Sequence, residues 1–161
     1  MNEATEPARM TATGPDRVLV PTLGRPGEDE ALAYALEMFP DAEVILLAVV
    51  MPLDAPLSEG NILKRDETRT EEARRTTTEL LESVSADVPS ASDRIRIETT
   101  EGRPWTVIPR YASDADVDHV VMYGHEKGSG TGTPGFVRRF LGRTIATTVV
   151  DRTDRPVTVL E

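Results

Sequence analysis

Short apolar runs separated by longer amphipathic segments mark the chain as an alternation of strands and helices. Residues 17–21 form a short run rich in valine and leucine, and residues 44–51 contain no polar member, as is typical of parallel strands covered on both faces. At 95–99, apolar and charged residues alternate, which predicts a strand with one wetter face near a sheet edge. Residues 117–123 and 156–160 predict two further strands, the last one also at an edge.

Four segments between these strands place apolar residues at intervals of three and four, the spacing of an amphipathic helix. They cover residues 28–39, 64–84, 104–115 and about 142–152. In the last of these helices, Ile145, Val149 and Val150 are expected to face inward. Pro109 lies too deep in its helix for a first-turn proline, so we expect a kink or a late helix start there.

This order of elements predicts an α/β fold, a five-stranded parallel sheet with helices on both faces and right-handed crossovers. Ligands of such sheets lie beyond the carboxyl ends of the strands, at the point where the strand order reverses. The loops after Val20, Val50 and Tyr123 are therefore the predicted site. Residues 1–15 lack apolar periodicity and are predicted to be a disordered acidic leader, so the domain is expected to span 16–161.

Length and composition exclude several classes of protein. The 161 residues suffice for one domain, and the absence of cysteine excludes disulfides and thiolate chemistry. A net charge of −10 argues against nucleic acid or an anionic membrane surface as a partner. No apolar run approaches the roughly 20 residues that cross a bilayer, and no secretory signal is visible, so we expect a cytoplasmic protein.

Lysine is scarce in this acidic chain. Lys64 and Lys127 are lysines, and the rest of the 18 basic residues are arginines. Such an acid-rich, lysine-poor balance is typical of proteins that stay soluble in concentrated intracellular salt, as in halophilic archaea and bacteria. An ordinary acidic protein from a low-salt habitat stays open as the alternative.

The segment between the fourth strand and the last helix carries the strongest chemical signal. The strand ends at Gly124-His125, and a glycine-rich stretch then leads to Gly142, where the last helix is predicted to open. A helix N-terminus near glycines offers unpaired N–H groups and a positive dipole end to an anion. This arrangement predicts a phosphate-binding or other anion-binding loop.

From residue 16 to residue 160 the chain resembles the universal stress protein family. The marks of this resemblance are Val-Leu-Val-Pro-Thr at 18–22, Ala31 and Ala35 in the first helix, Gly102-Arg103-Pro104, the strand 120–122 before His125, Gly142, and the final strand 156–160. The resemblance implies a Rossmann-like, adenine-nucleotide α-hydrolase-like fold with strand order 3-2-1-4-5. It also implies a binding or signalling module of the stress response that forms a homodimer through its last strand.

Members of this family that bind ATP resemble one another in two features. The first is an aspartate after the Pro-Thr pair. The second, before the last helix, is two glycines separated by two residues, then nine residues of any type, and then a glycine followed by serine or threonine. Mapped by position, these residues fall on Leu23, Tyr123, Glu126, Gly142 and Arg143. Leu23 cannot accept a hydrogen bond from a ribose hydroxyl, and Glu126 brings negative charge toward a triphosphate. Tyr123 places a side chain where the backbone is expected to touch the nucleotide.

Part of this cradle can be rebuilt by a shifted loop. Nine residues separate Gly132 from Gly142, and Arg143 beside the helix N-terminus can pair bidentately with a phosphate. The candidate ligand is therefore ATP or another nucleotide with magnesium, or a different anion. The candidate site residues are Pro21, Thr22, Leu23, Val49, Met122, Gly124, His125, Gly132, Gly142, Arg143 and Thr144.

Other interpretations of single motifs are weaker. The Gly-x-Gly-x-x-Gly at 130–135 does not directly follow a strand, as a dinucleotide fingerprint must. Neither a serine elbow nor a P-loop is present, and the strand ends lack the acids of a phosphoacceptor domain, so we expect no enzyme beyond a weak ATPase. His125 is either a general acid or phosphate ligand, or a residue that only hydrogen-bonds its loop. His119 is expected to be exposed and inert.

Two functions fit these observations. In the first, a nucleotide switches a small signalling module, whose client is a transporter, a kinase or another protein. In the second, a dimeric interaction protein of the same fold works without nucleotide. The apolar strand 156–160 would offer unpaired backbone groups to a second copy in either case.

Overall fold

The computed structural model describes residues 14–52, 59–88, 91–124 and 144–161, with backbone alone at 59–66. These residues form five strands and five helices. In chain order they are β1 (Arg17–Thr22), α1 (Glu28–Met38), β2 (Glu43–Val50), α2 (Glu59–Asp87), α3 (Ala91–Arg94), β3 (Ile95–Glu101), α4 (Pro104–Asp114), β4 (His119–Tyr123), α5 (Ile145–Arg152) and β5 (Val157–Leu160). Most of the predicted leader, residues 1–13, lies outside the described residues.

The strands form one parallel sheet in the order β3-β2-β1-β4-β5, which confirms the predicted fold. The chain runs from the central β1 to β2 and β3 on one side, and then to β4 and β5 on the other. The strand order therefore reverses between β1 and β4, and this is where ligands of doubly wound sheets bind. The strands β3 and β5 occupy the two edges, as the sequence pattern predicts.

Two apolar cores cover the two faces of the sheet, because successive residues of a strand point to opposite faces. On one face, Val18, Val20 and Val44 pack against α1 and α2. On the other face, Leu19 and Ile45 pack against α4 and α5. None of these five side chains is exposed to solvent. Burial on both faces explains why the central strands are continuous apolar runs.

Two helices begin at positions other than those predicted. Helix α2 begins at Glu59, earlier than residue 64, since the Ile-Leu-Lys-Arg at 62–65 are residues with good or moderate helix propensity. Helix α5 begins at Ile145, later than the predicted start near Gly142. Its N-cap is Thr144, whose hydroxyl accepts the backbone N–H of Thr147.

Of the two alternatives expected at Pro109, a kink or a late start of α4, the late start is wrong. The helix begins at Pro104, where a missing N–H costs nothing, and continues through Pro109. A proline at position 109 leaves the carbonyl of Trp105 without its helical donor. Arg152 of α5 supplies a donor, since its Nη1 lies 3.4 Å from the Trp105 oxygen. The contact between α5 and α4 thus compensates for the hydrogen bond that Pro109 removes. The sequence reveals the loss of that bond but not the contact that replaces it.

The orientation predicted for Val150 is also wrong. Val149 is fully buried and Ile145 is half-buried, but Val150 is 44% exposed. Ala146, three residues before Val149, completes the buried stripe of α5. Val150 is displaced by one residue from this stripe and therefore faces away from the core.

His119 does not have the exposed position expected of it. It begins β4 and is half-buried, with Nε2 2.8 Å from the hydroxyl oxygen of Thr158 in β5. Its ring centroid lies 4.9 Å from that of Phe39 at the end of α1. Burial lowers the pKa of His119. The histidine thus joins β4, β5 and α1 at the amino edge of the sheet, far along the strands from the predicted site.

The contrast between the two neighbouring valines gives a test of the α5 packing. We expect Val149→Ala to lower the free energy of unfolding by about 2 kcal/mol, because it removes fully buried methyl groups. Val150→Ala should change it by less than about 0.5 kcal/mol, as an exposed substitution does. Urea denaturation of both variants measures the difference. Equal losses in the two variants would contradict this packing.

Candidate functional site

The carboxyl ends of β1, β2 and β4 meet at one edge of the sheet. Pro21 and Thr22 end β1 and are buried, and Leu23 directly after them is half-buried. Leu23 packs against the core on the α4 and α5 face, in the same apolar cluster as Val49 of β2 and Met122 of β4. The structure therefore brings together three of the predicted site residues from three different strand ends.

A cleft of about 260 Å³ opens at this edge between β1, β2 and α2, and we call it the β1–β2 cleft. It is lined by Thr22, Leu23 and Gly24, by Val49, Val50 and Met51, and by Arg69, Glu72, Ala73 and Thr76. The strand side is mainly apolar, whereas the α2 side carries a base, an acid and a hydroxyl. This is the chemistry of a site for a small molecule with an apolar body and a few polar groups.

Glu28, the first residue of α1, closes the loop that follows β1. Its Oε2 accepts the N–H of Leu23 at 2.7 Å, and its Oε1 accepts the N–H of Arg25 at 2.9 Å. The residue is only 4% exposed. Gly24 has a φ of +74° and Gly27 one of +91°, and glycine adopts both values without strain. The acids of this first turn suit the helix dipole, but the dipole does not predict that one of them folds back on the loop.

The burial of Glu28 has an electrostatic consequence. Burial raises its pKa above the ordinary value of 4.5, while the backbone N–H groups of Leu23, Arg25 and Gly24 and the charge of Arg25 oppose the shift. The net direction is upward. The folded chain therefore holds the Glu28 proton more tightly than the unfolded chain does.

Tyr123 lies beside the same loop, at the end of β4. A Cβ added to Gly27 would lie 2.5 Å from Cε1 of the Tyr123 ring, so the ring occupies the space above that glycine. The ring packs with the core on the α1 and α2 face. Tyr123 is not among the residues that line the β1–β2 cleft. Gly27 thus leaves room for the ring of Tyr123, which stands at a position where the family motif has glycine.

A second cleft, of about 290 Å³, lies between β4, β5 and α5. It brings together Gly124 and Thr144, two further predicted site residues, with Ala146 and Val159 among its other walls. The Thr144 hydroxyl accepts the N–H of Thr147 at 3.1 Å. Thr144 therefore caps the helix, and one of the N–H groups at this helix N-terminus already has a partner in the protein.

Four predicted site residues, together with Glu126 of the family motif, lie outside the described residues. The four are His125, Gly132, Gly142 and Arg143. Conversely, Arg69 lines the β1–β2 cleft and was not predicted. A helix rich in charged residues gives no sign of which arginine faces the strand ends. The signal that would have found Arg69 is its position four residues before Ala73, which is itself four residues before Thr77.

Metal clusters and membrane-spanning helices are both absent from the described part of the chain. In ranges 14–52, 59–88, 91–124 and 144–161, no group of three or more histidine, aspartate or glutamate residues is placed to hold a metal ion. No helix in those ranges has the length and apolar composition needed to span a membrane.

The sheet order and the two covered faces define a Rossmann-like α/β class of fold. The model of the universal stress protein family matches residues 15–161. The chain therefore belongs to the universal stress protein family. No curated protein sequence matches it.

Solved structures agree with this assignment. A universal stress protein in complex with cAMP is 17% identical, with 92% of this chain and 99% of that chain covered and a TM-score of 0.59. UspA from Lactobacillus plantarum is 17% identical over 90% of this chain and 97% of that chain, with a TM-score of 0.61. A family protein from Burkholderia pseudomallei is 21% identical over 90% and 95%, with a TM-score of 0.60. At such identities the likeness is one of fold.

The raised pKa of Glu28 predicts a pH dependence of stability. A carboxyl whose pKa is higher in the folded state contributes stability that is fully present below its unfolded pKa and is lost as the pH rises through its folded pKa. We therefore expect the free energy of unfolding of the wild type to fall relative to Glu28→Gln as the pH rises from about 4.5. Each unit of pKa difference corresponds to about 1.4 kcal/mol.

Urea denaturation of both proteins between pH 4 and 8 measures this difference. Glu30→Gln is the matched control, because Glu30 is an exposed acid in the same helical turn. That variant should follow the wild type at every pH. Parallel pH profiles of the wild type and Glu28→Gln would contradict the electrostatic role of Glu28.

Proposed function

We propose that this chain is a binding module of the stress response whose signal is a nucleotide held in the β1–β2 cleft. The observation that carries the proposal is the position of this cleft. It lies at the carboxyl ends of β1 and β2, on the opposite side of β1 from the point of strand reversal, and combines apolar walls with polar groups from α2. The complex of a related universal stress protein with cAMP gives further support.

The walls of the cleft suit the parts of a nucleotide differently. Leu23 and Val49 offer apolar surface to a base, and Thr22 offers a hydroxyl at the end of β1. Leu23 has no acceptor for a ribose hydroxyl, so position 23 contributes apolar contact instead of a hydrogen bond to the sugar. The affinity must then come from the base and from the charged groups of the ligand. Magnesium accompanies any polyphosphate ligand.

Binding, and not turnover, is the activity that we propose. A stress signal of this kind acts through the fraction of molecules that hold ligand, so a bound nucleotide that is not consumed is sufficient. ATP turnover measured in the binding samples would show whether the chain is also a weak ATPase.

Filling the cleft tests the proposal. We expect the purified chain to bind a labelled adenine nucleotide stoichiometrically with a micromolar Kd, in molar KCl with magnesium. Ala73→Phe places a ring in the cleft and should weaken binding at least about tenfold, since the ring and the ligand compete for one volume. Isothermal titration with ATP, AMP and cAMP provides the measurement.

Ala86→Phe is the control for this experiment. Ala86 is an exposed residue of the same helix, away from the cleft, so the variant should bind within twofold of the wild type. The proposal fails if no nucleotide saturates the wild type at millimolar concentration. It also fails if Ala73→Phe binds as tightly as Ala86→Phe.

The geometry of β5 favours the second candidate function, a dimeric interaction protein. The N–H of Val120 donates to Pro156 and that of Gly124 donates to Leu160. Because parallel pairing uses alternate residues, the backbone groups of Val157 and Val159 point away from β4. Among the described residues, no strand pairs with this outer edge. The edge therefore offers N–H and C=O groups to a second copy, whether or not a nucleotide is bound.

Removing one outward N–H tests the dimer. We expect the wild type to sediment as a dimer at tens of micromolar, and Val159→Pro to shift it toward monomer by deleting a donor at the centre of the edge. Val159→Ala, which loses side-chain packing but keeps the N–H, should remain a dimer. A monomeric wild type, or a dimeric Val159→Pro, would contradict pairing through this edge.

A further inference from the structure

Arg69 is the cation that lines the β1–β2 cleft. It lies on α2, and its Nη2 donates to the carbonyl oxygen of Met51 at the end of β2. Its Nη1 exposes less than 1 Å² and has no hydrogen-bond partner in the part of the chain that the structure describes. A guanidinium is always charged and carries five donors, and an unpaired buried donor on a charged group is costly. One fork of this guanidinium therefore still needs an acceptor.

The helix directs a defined set of side chains to the cleft. Arg69, Ala73 and Thr76 follow one another at intervals of four and three residues, so they share one face of α2. The bond to Met51 ties the guanidinium to the end of β2 and limits its rotation. A positive charge, one of whose terminal nitrogens lacks a partner among the described residues, is thus positioned in the wall of a cleft whose strand side is apolar.

Thr22 adds a second polar group at the same strand ends. The Thr77 hydroxyl donates to the carbonyl of Ala73 at 2.7 Å, so its one hydrogen is used. In the contact between the hydroxyls of Thr22 and Thr77, at 3.4 Å, Thr22 must therefore be the donor. This bond is at the long end of the range and weak, which leaves the Thr22 hydroxyl able to turn toward a ligand oxygen.

We propose that Arg69 is the anion-binding residue of the β1–β2 cleft and receives the phosphate of a nucleotide that carries a single phosphate group. This inference rests on the proposed function and deepens it. A guanidinium fork fits two phosphate oxygens at once. Glu72 lines the same cleft, and its carboxylate repels additional phosphates. The charge pattern therefore favours a monophosphate or a cyclic phosphate over a triphosphate.

The proposed position of the anion differs from the one that the sequence suggested. The glycine-rich loop and the start of α5 predict phosphate binding near residues 124–144. At that helix N-terminus, Thr144 caps the N–H of Thr147. Arg69 instead approaches the ligand from α2, on the β2 side of β1, so the two assignments are separable by mutation.

The experiment compares three ligands, AMP, adenosine and inorganic phosphate, by isothermal titration. In the wild type we expect AMP to bind at least about tenfold more tightly than adenosine, since a charge-assisted pair adds to the contacts of the base. Arg69→Gln should reduce this ratio to within about twofold, mainly through weaker binding of AMP. ATP should bind no more tightly than AMP.

Two further variants control the experiment. Arg74→Gln removes the same charge from an exposed position of α2 and should keep the wild-type ratio. Arg69→Lys keeps the charge without the fork and should give an intermediate ratio. If circular dichroism shows that Arg69→Gln does not fold, the ratio measured for Arg69→Lys tests the proposal in its place.

The outcomes separate this inference from the proposed function. Equal binding of AMP and adenosine by the wild type, or an unchanged ratio in both Arg69 variants, overturns the role of Arg69 and leaves a nucleotide site in the cleft. Binding of inorganic phosphate that Arg69→Gln abolishes, with no binding of AMP or adenosine, supports Arg69 and overturns the proposed function. The absence of binding by all three ligands overturns both.

Discussion

The structure depends on the burial of β1 and β2 on both faces. All residues of β2 after Glu43 are buried, as are all residues of β1 after Arg17. A strand covered in this way has no exposed side chain along its length, so polar chemistry is confined to its ends. Parallel pairing then brings every carboxyl end to one edge, and the reversal of strand order beside β1 leaves room between the loops. The β1–β2 cleft opens at this same edge, on the β2 side of β1.

At that edge, one carboxylate serves the protein itself. Glu28 accepts the backbone N–H groups of Leu23 and Arg25 in the loop after β1. The carboxylate of Glu28 thereby closes the loop. Its burial raises its pKa by more than its hydrogen bonds lower it. Because those donors are occupied, an external anion has to find its partners elsewhere. This is why the cation on α2 gains importance in the cleft.

The sequence pattern predicts the structural features that depend on residues close together in the chain. Three local patterns predict the strands, the sheet edges and the class of fold. They are the two apolar runs, the alternating run of β3 and the helical spacing of apolar residues. The errors arise where distant segments meet. Pro109 is tolerated because Arg152 bonds the carbonyl that it leaves free, and His119 is covered because Phe39 and Thr158 lie next to it. Arg69 is one arginine among several on α2, and only the fold reveals that it reaches the cleft.

The departures from the family's ATP motif acquire a common physical meaning in this structure. Leu23 packs into the apolar cluster and offers the sugar no acceptor, while Tyr123 is accommodated over Gly27, outside the cleft. Neither change fills the β1–β2 cleft, whose apolar walls remain available to a base. What changes at Leu23 is the support for the sugar. On the function proposed here, a site with apolar walls and one arginine beside a glutamate suits a compact ligand with a single charge-bearing group, because a triphosphate would meet both repulsion and fewer contacts.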